Sequence, residues 1–242
     1  MRTVHDDNPY RSLAAPPAAF AAASERAAFL KKVYGILFLG VLGFAATLWA
    51  AAHVPLVNGW AMSLAEVIYG SRFGWLIYAG IFIGGSMAVH AVAETKPLNM
   101  IAFAAWVVVM ALLIAPIVLW IAAAQGPEVI TQASGLTALV FGGLTVYVLY
   151  TGKDFSWLRG ILFMAFLAVA AVSLFGVFMG FTPGLWFSGV IVALWSGYIL
   201  YDTSLILHRL PTSMAMSGAI MLFTDVVVLF KHILILLANS RD

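Results

Sequence analysis

The sequence predicts an all-α membrane protein with seven transmembrane helices. Three observations support this. Of 242 residues, 64% are hydrophobic and 9% charged, against about 25% charged in a soluble domain. Mean hydropathy is +1.04. The apolar residues fall into seven runs, each close to the roughly 20 residues that a ~30 Å hydrocarbon core demands. A formal net charge of +2 is too small to suggest a nucleic-acid partner, and the lack of cysteine excludes disulfide and thiol chemistry.

Residues 1–28, rich in Ala and Pro, bury too little surface to fold alone. They are expected to form a disordered cytoplasmic tail ahead of a transmembrane domain over 29–242. The first span is Val33–Ala52. Lys31-Lys32 before it and Ala50-Ala51-Ala52 at its end faintly imitate a signal peptide, but its full spanning length makes it a retained signal anchor. A semi-apolar connection, His53 to Phe73, is expected to lie along the interface. The remaining spans are Gly74–Val92, Leu98–Ala124, Val129–Tyr150, Leu158–Gly180, Leu185–Leu207 and Met214–Leu237. They are separated by Pro, Gly and charge signals such as Glu94-Thr95-Lys96-Pro97 and Phe181-Thr182-Pro183. Pro116 should kink the third span. Gly80/Gly84 and Gly176/Gly180 are small-residue pairs suited to close helix packing.

Charge sets the orientation. With the N-terminus cytoplasmic, the inner segments hold Arg2, Arg11, Arg26, Lys31, Lys32, Lys96, Lys153, Arg159 and Arg209. The outer side keeps Arg72, Arg241 and Lys231. This positive-inside bias puts the C-terminus outside. Lys231 is expected to snorkel toward the outer interface. Trp and Tyr near span ends (Trp49, Trp60, Trp75, Tyr150, Trp157 and Trp186) read as an interfacial belt.

The last two spans form a hairpin around His208 to Ser213, and each contains one acid, Asp202 and Asp225. An aspartate at the centre of a span costs roughly 2.5–3.5 kcal/mol. In an antiparallel hairpin, residues equidistant from the turn lie level. The midpoint of 202 and 225 falls between Ser213 and Met214, so the two carboxyls can meet. Close together and away from water, both cannot ionise cheaply. They would share a proton and titrate as a coupled pair. Ionised, their oxygens suit calcium weakly. These properties predict a pH sensor and cation gate. The plainer reading is a satisfied pair that fixes hairpin register.

Catalysis finds no support in the motifs. Phe187-Ser188-Gly189 and Trp195-Ser196-Gly197 lack the leading Gly of a rhomboid-type serine turn. Phe223-Thr224 precede Asp225 where an aspartyl intramembrane protease has Gly-x-Gly, and no His-Glu-x-x-His is present. His53, His90, His208 and His232 show no spacing that would hold a haem, so no cofactor is expected beyond transported calcium.

Tyr198-Ile199-Leu200-Tyr201-Asp202 followed by His208-Arg209 resembles the sixth-span signature of the Bax inhibitor family. Leu222 to Phe230 resembles its last span, and Lys153-Asp154-Phe155-Ser156-Trp157-Leu158 its fourth-to-fifth loop. Gly135 to Phe141 and Ser240-Arg241-Asp242 are similar to the bacterial YccA branch. The resemblance covers about Lys31 to the end. It implies two three-helix layers around a central C-terminal helix, and a pH-sensitive calcium leak with Asp202 and Asp225 as sensor. For the YccA branch it implies instead a non-catalytic regulator of a membrane AAA protease complex. Leak-type relatives place an arginine near the cytoplasmic end of the second span. Met87 to Glu94 contains none, which leaves His90 and Arg209 as candidate gating partners. A bacterial-type inner membrane is the expected location.

Overall fold

The computed structural model describes residues 17–240 apart from 72 and 181–183, and among these it is helical throughout. Eight helices follow in order: α1 (Ala23–His53), α2 (Pro55–Tyr69), α3 (Gly74–Ala91), α4 (Leu98–Gln125), α5 (Glu128–Thr151), α6 (Leu158–Met179), α7 (Leu185–His208) and α8 (Ala215–Asn239). Six of them, α1 and α4 to α8, are long and apolar enough to cross a membrane. The seventh crossing is α3, whose 18 residues rise about 27 Å, and the span boundaries agree with expectation to within two residues from α3 onward. The 15 residues of α2 rise only about 22 Å. Pro55 opens that helix, the Asn58 side-chain amide donates to the Ala51 carbonyl at 2.8 Å, and α2 packs on α1, α3 and α4.

The C-terminal helix is central. α8 is packed against α1, α3, α4, α5 and α7, while α6 packs chiefly on α7. Ala215 to Ile220 and Leu222 to Asp225 are all buried. Aromatic rings fill the α1–α4–α8 seam. Phe223 meets Phe44 edge-on at 6.2 Å and Phe103 at 5.5 Å, and Phe44 meets Phe230 at 6.1 Å. Gly40 makes room for this cluster, since a Cβ there would lie 2.6 Å from the Phe103 ring.

Several expectations need correction. Of the tail expected over 1–28, residues 1–16 lie outside the described residues, and the rest is ordered. The Ala18 amide donates to the Leu210 carbonyl at 2.8 Å, Pro17 bridges to Pro211, and Thr212 donates to Glu25 at 2.6 Å. The turn of the last hairpin supplies a template that the isolated segment lacks, so α1 begins at Ala23, ten residues before the predicted span. Gly80 and Gly84 have nothing within 4 Å where a side chain would stand. The close approach is made by their neighbour Gly85, against the Trp106 ring. Gly180 ends α6 in the left-handed conformation, φ +68°, which is a capping role. Arg2, Arg11, Arg72, Arg241 and Phe181 to Pro183 lie outside the described residues.

Candidate functional site

The α7–α8 hairpin closes over a short turn in which the Leu210 amide reaches back to the Leu205 carbonyl at 3.0 Å and the Met214 amide to the Pro211 carbonyl at 3.0 Å. With the turn so tight, the two helices stay in register, and residues equally far from it lie level. Asp202 on α7 is 9% exposed and Asp225 on α8 is 2% exposed. Their carboxyl groups are hydrogen-bond partners of each other. Between two carboxyls such a bond requires a proton on one of them. Oδ2 of Asp225 has no partner, so the pair retains acceptor capacity.

The surroundings are more polar than a lipid-spanning hairpin needs. Thr203 and Ser204 follow Asp202 and are buried. The Tyr34 hydroxyl from α1 lies within hydrogen-bonding reach of the hydroxyls of Thr203 and Thr145. A buried cluster of hydroxyls drawn from three helices is the kind of surface that holds water. On α8, Thr224 donates to the Ile220 carbonyl at 2.9 Å and accepts from Trp106 Nε1 at 3.4 Å. Tyr198 donates to the Leu162 carbonyl at 3.3 Å and ties α7 to α6. The sequence reading singled out neither Tyr34 nor the Thr203-Ser204 pair. The run Asp202-Thr203-Ser204 inside an apolar span was the available signal.

The loop between α5 and α6 covers the end of α7. The Phe155 amide donates to Ser204 Oγ at 2.8 Å, and Ser204 Oγ lies 3.4 Å from Asp154. Ser156 donates to Asp154 through its hydroxyl and its amide. Arg209 donates to Ser156 Oγ at 3.0 Å and pairs with Asp154 at 3.6 Å. The Ser156 hydroxyl and amide, with the Arg209 guanidinium, hold the Asp154 carboxyl below the usual carboxylate range. Both ends of this ion pair are more than half exposed, so it contributes little to stability. Its effect is to orient the loop over Ser204.

The expected gating partners lie elsewhere. His90 is exposed, its Nδ1 2.8 Å from the Ser86 carbonyl of its own helix. Arg209 is taken up by the loop. With no partner on α7 or α8, each follows the nearest local acceptor. Lys231 does not snorkel. It is half-buried, its ammonium 4.4 Å from the Tyr78 ring centre and 3.3 Å from the Tyr78 hydroxyl, because α3 offers an aromatic face at that depth. Among the described residues no group of three or more His, Asp or Glu is arranged to hold a metal. Two carboxyls supply at most four of the 6–8 oxygens calcium prefers.

Comparison with known proteins covers nearly the whole chain. A family described as inhibitor of apoptosis-promoting Bax1 matches residues 26–242. A Golgi anti-apoptotic protein of Vaccinia virus (strain Lister) is 30% identical over 240 residues, 99% of this chain and 95% of the viral one. An uncharacterized protein of Campylobacter jejuni is 32% identical over 222 residues, covering 90% of this chain and 92% of the other. Protein lifeguard 4 of Mus musculus is 29% identical over 233 residues, 96% and 92% of the two chains. With its helical bundle and near-complete match, this multi-pass membrane protein belongs to the Bax inhibitor family.

Proposed function

We propose that the protein is a proton-controlled cation leak, with calcium as the expected cargo and Asp202 and Asp225 as sensor and gate. One observation supports this most directly: two carboxyls, buried at one level of the central hairpin, are bonded to each other. Bonded through a shared proton, they hold α7 to α8. Loss of that proton as pH rises leaves two like charges in contact, and the helices separate toward the buried hydroxyls of Tyr34, Thr145 and Thr203. A cation then replaces the proton as counter-charge and moves on, because the site has too few oxygens to keep it. In this reading the protein sits in a bacterial-type inner membrane, and the lysine and arginine distribution supports a cytoplasmic N-terminus and an outside C-terminus.

Calcium flux into proteoliposomes, measured across a pH series with Asp202→Asn, Asp225→Asn and the double variant, tests the proposal. Flux should rise with pH in the native protein and lose that dependence in each variant. An unchanged pH profile in the double variant would retire it. A second reading is a non-catalytic regulator that binds a membrane AAA protease complex. It draws on α6, which packs chiefly on α7 and exposes Phe163, Met164, Leu167 and Phe175 along the bilayer. Co-purification of such a complex with a flux-silent protein would favour it.

A further inference from the structure

Two grooves open sideways from the bundle, and they differ in chemistry. One, of about 640 Å³, runs between α1 and α5 and has no lysine or arginine among the described residues of its wall. The other, of about 630 Å³, runs between α1 and α4. Its body is apolar, formed by Ile36, Leu39, Met100, Phe103, Ala104 and Val108. Lys32 and Lys96 stand at one end.

The two lysines stand at the same end of the groove. Gly40 lies against Phe103 and Gly43 against Val107, so α1 and α4 run side by side in parallel. Lys32 is eight residues before Gly40 on α1, about 12 Å back along the axis, and Lys96 lies in the turn two residues ahead of Leu98, the first residue of α4. Both are exposed, and among the described residues neither enters an ion pair. From Leu98 to Val108 the groove climbs about 15 Å, about one leaflet of a ~30 Å core. Its glycines, Gly40 and Gly43, let the floor approach closely.

Two acceptors flank the mouth. Asn99 is 5% exposed, its amide nitrogen donates to the Ala93 carbonyl at 2.9 Å, and its Oδ1 has no partner. Glu94 accepts from Ser217 of α8 at 2.8 Å, which occupies one of its carboxylate oxygens.

We propose that this groove is a specific site for an anionic phospholipid. The phosphate sits on Lys32 and Lys96, a headgroup hydroxyl donates toward Asn99, and one acyl chain lies between α1 and α4. The charge pattern selects against a zwitterionic lipid, whose ammonium would meet two lysines. Lipid seated there braces Glu94 and, through Ser217, the start of α8.

Native mass spectrometry of the full-length protein tests the site, with phosphatidylglycerol and phosphatidylcholine of identical chains as probes. Two lysines predict a preference for phosphatidylglycerol on the order of tenfold. Lys32→Gln/Lys96→Gln should abolish the preference while leaving the melting temperature in detergent unchanged. Ala104→Phe, placed on the exposed side of the groove, should expel both lipids. Glycerol phosphate lacking acyl chains should not compete. Equal binding of the two lipids, an unaltered preference in the double lysine variant, or displacement by glycerol phosphate would overturn the proposal. None of these readouts depends on ion flux.

Discussion

Deleting one carboxyl of the hairpin pair tests the scheme at the level of folding energy. In Asp202→Ala, Asp225 keeps its burial, at 2% exposed, and loses its hydrogen-bond partner, while its Oδ2 already has none. A buried polar group orphaned in this way costs about 1–3 kcal/mol. Asp225→Ala orphans Asp202 by the same argument. The double variant leaves no acid behind, so the orphaning cost disappears and the two single losses do not add. A coupling energy of about 1–3 kcal/mol follows, above the ~0.6 kcal/mol average for interhelical bonds measured in a bilayer protein. The assay is reversible unfolding in mixed micelles for the native protein, both singles and the double, at two pH values. Coupling should be larger at the lower pH, where the shared proton is present. Single losses that sum to the double within about 0.5 kcal/mol would show that the carboxyls do not act as a unit, and the gate would lose its basis.

Three other outcomes are expected. Gly85→Val places a side chain into the Trp106 ring, 2.2 Å from where the Cβ would stand, and should destabilise by about 1–3 kcal/mol, read as a lower unfolding midpoint than that of Gly84→Val. The Asp154 carboxyl is held below its ordinary range by Ser156 and Arg209. Its small contribution is therefore present above the unfolded-state value and lost as pH falls through the lowered one. Asp154→Asn should remove that acid-limb loss and raise hydrogen exchange at the Phe155 amide, which would otherwise stay protected by Ser204. Lys231→Met removes the ammonium over Tyr78 and should cost about 0.5–2 kcal/mol. Tyr78→Leu should cost a similar amount, and the double variant no more than either alone, read in the same unfolding assay.

The elements legible in the sequence were those governed by one-dimensional rules. Apolar run length placed α3 to α8, and equidistance from the His208–Ser213 turn placed Asp202 opposite Asp225. Both quantities are counts along the chain. The start of α1 was not a count. Ala23 to Lys32 reads as a polar leader until Pro17 and Ala18 dock on Leu210 and Pro211, a contact spanning almost two hundred residues. Glycine spacing failed for a related reason. Gly80, Gly84 and Gly85 share one helix, and only the position of Trp106 on α4 decides which of them is approached. Lys231 was assigned to the interface by depth alone, since the sequence of α8 gives no sign that Tyr78 stands opposite. The hydroxyls of Tyr34, Thr145 and Thr203 come from α1, α5 and α7, and only the assembled bundle brings them together.

A switch on α8 reaches further than one on any other helix. α6 can shift against α7 with little consequence for the remainder, because most of its surface faces lipid. α8 is held by α1, α3, α4, α5 and α7, and its N-terminal turn is tied by Ser217 to Glu94 within the α3–α4 connection. The turn before it is pinned by Thr212 to Glu25 of α1. A repulsion of one unit charge at Asp225 therefore acts at the point of greatest contact. Any outward movement of the α8 start must break neutral or single-charge hydrogen bonds, worth about 0.5–3 kcal/mol each. Two like charges about 4 Å apart at an effective dielectric near 20 repel by about 4 kcal/mol, which is enough to break one or two such bonds and too little to unfold the aromatic seam of Phe44, Phe103 and Phe223. The expected motion is a local parting of the hairpin at its polar end, with the C-terminal half of α8 staying packed against α3 and Lys231 over Tyr78.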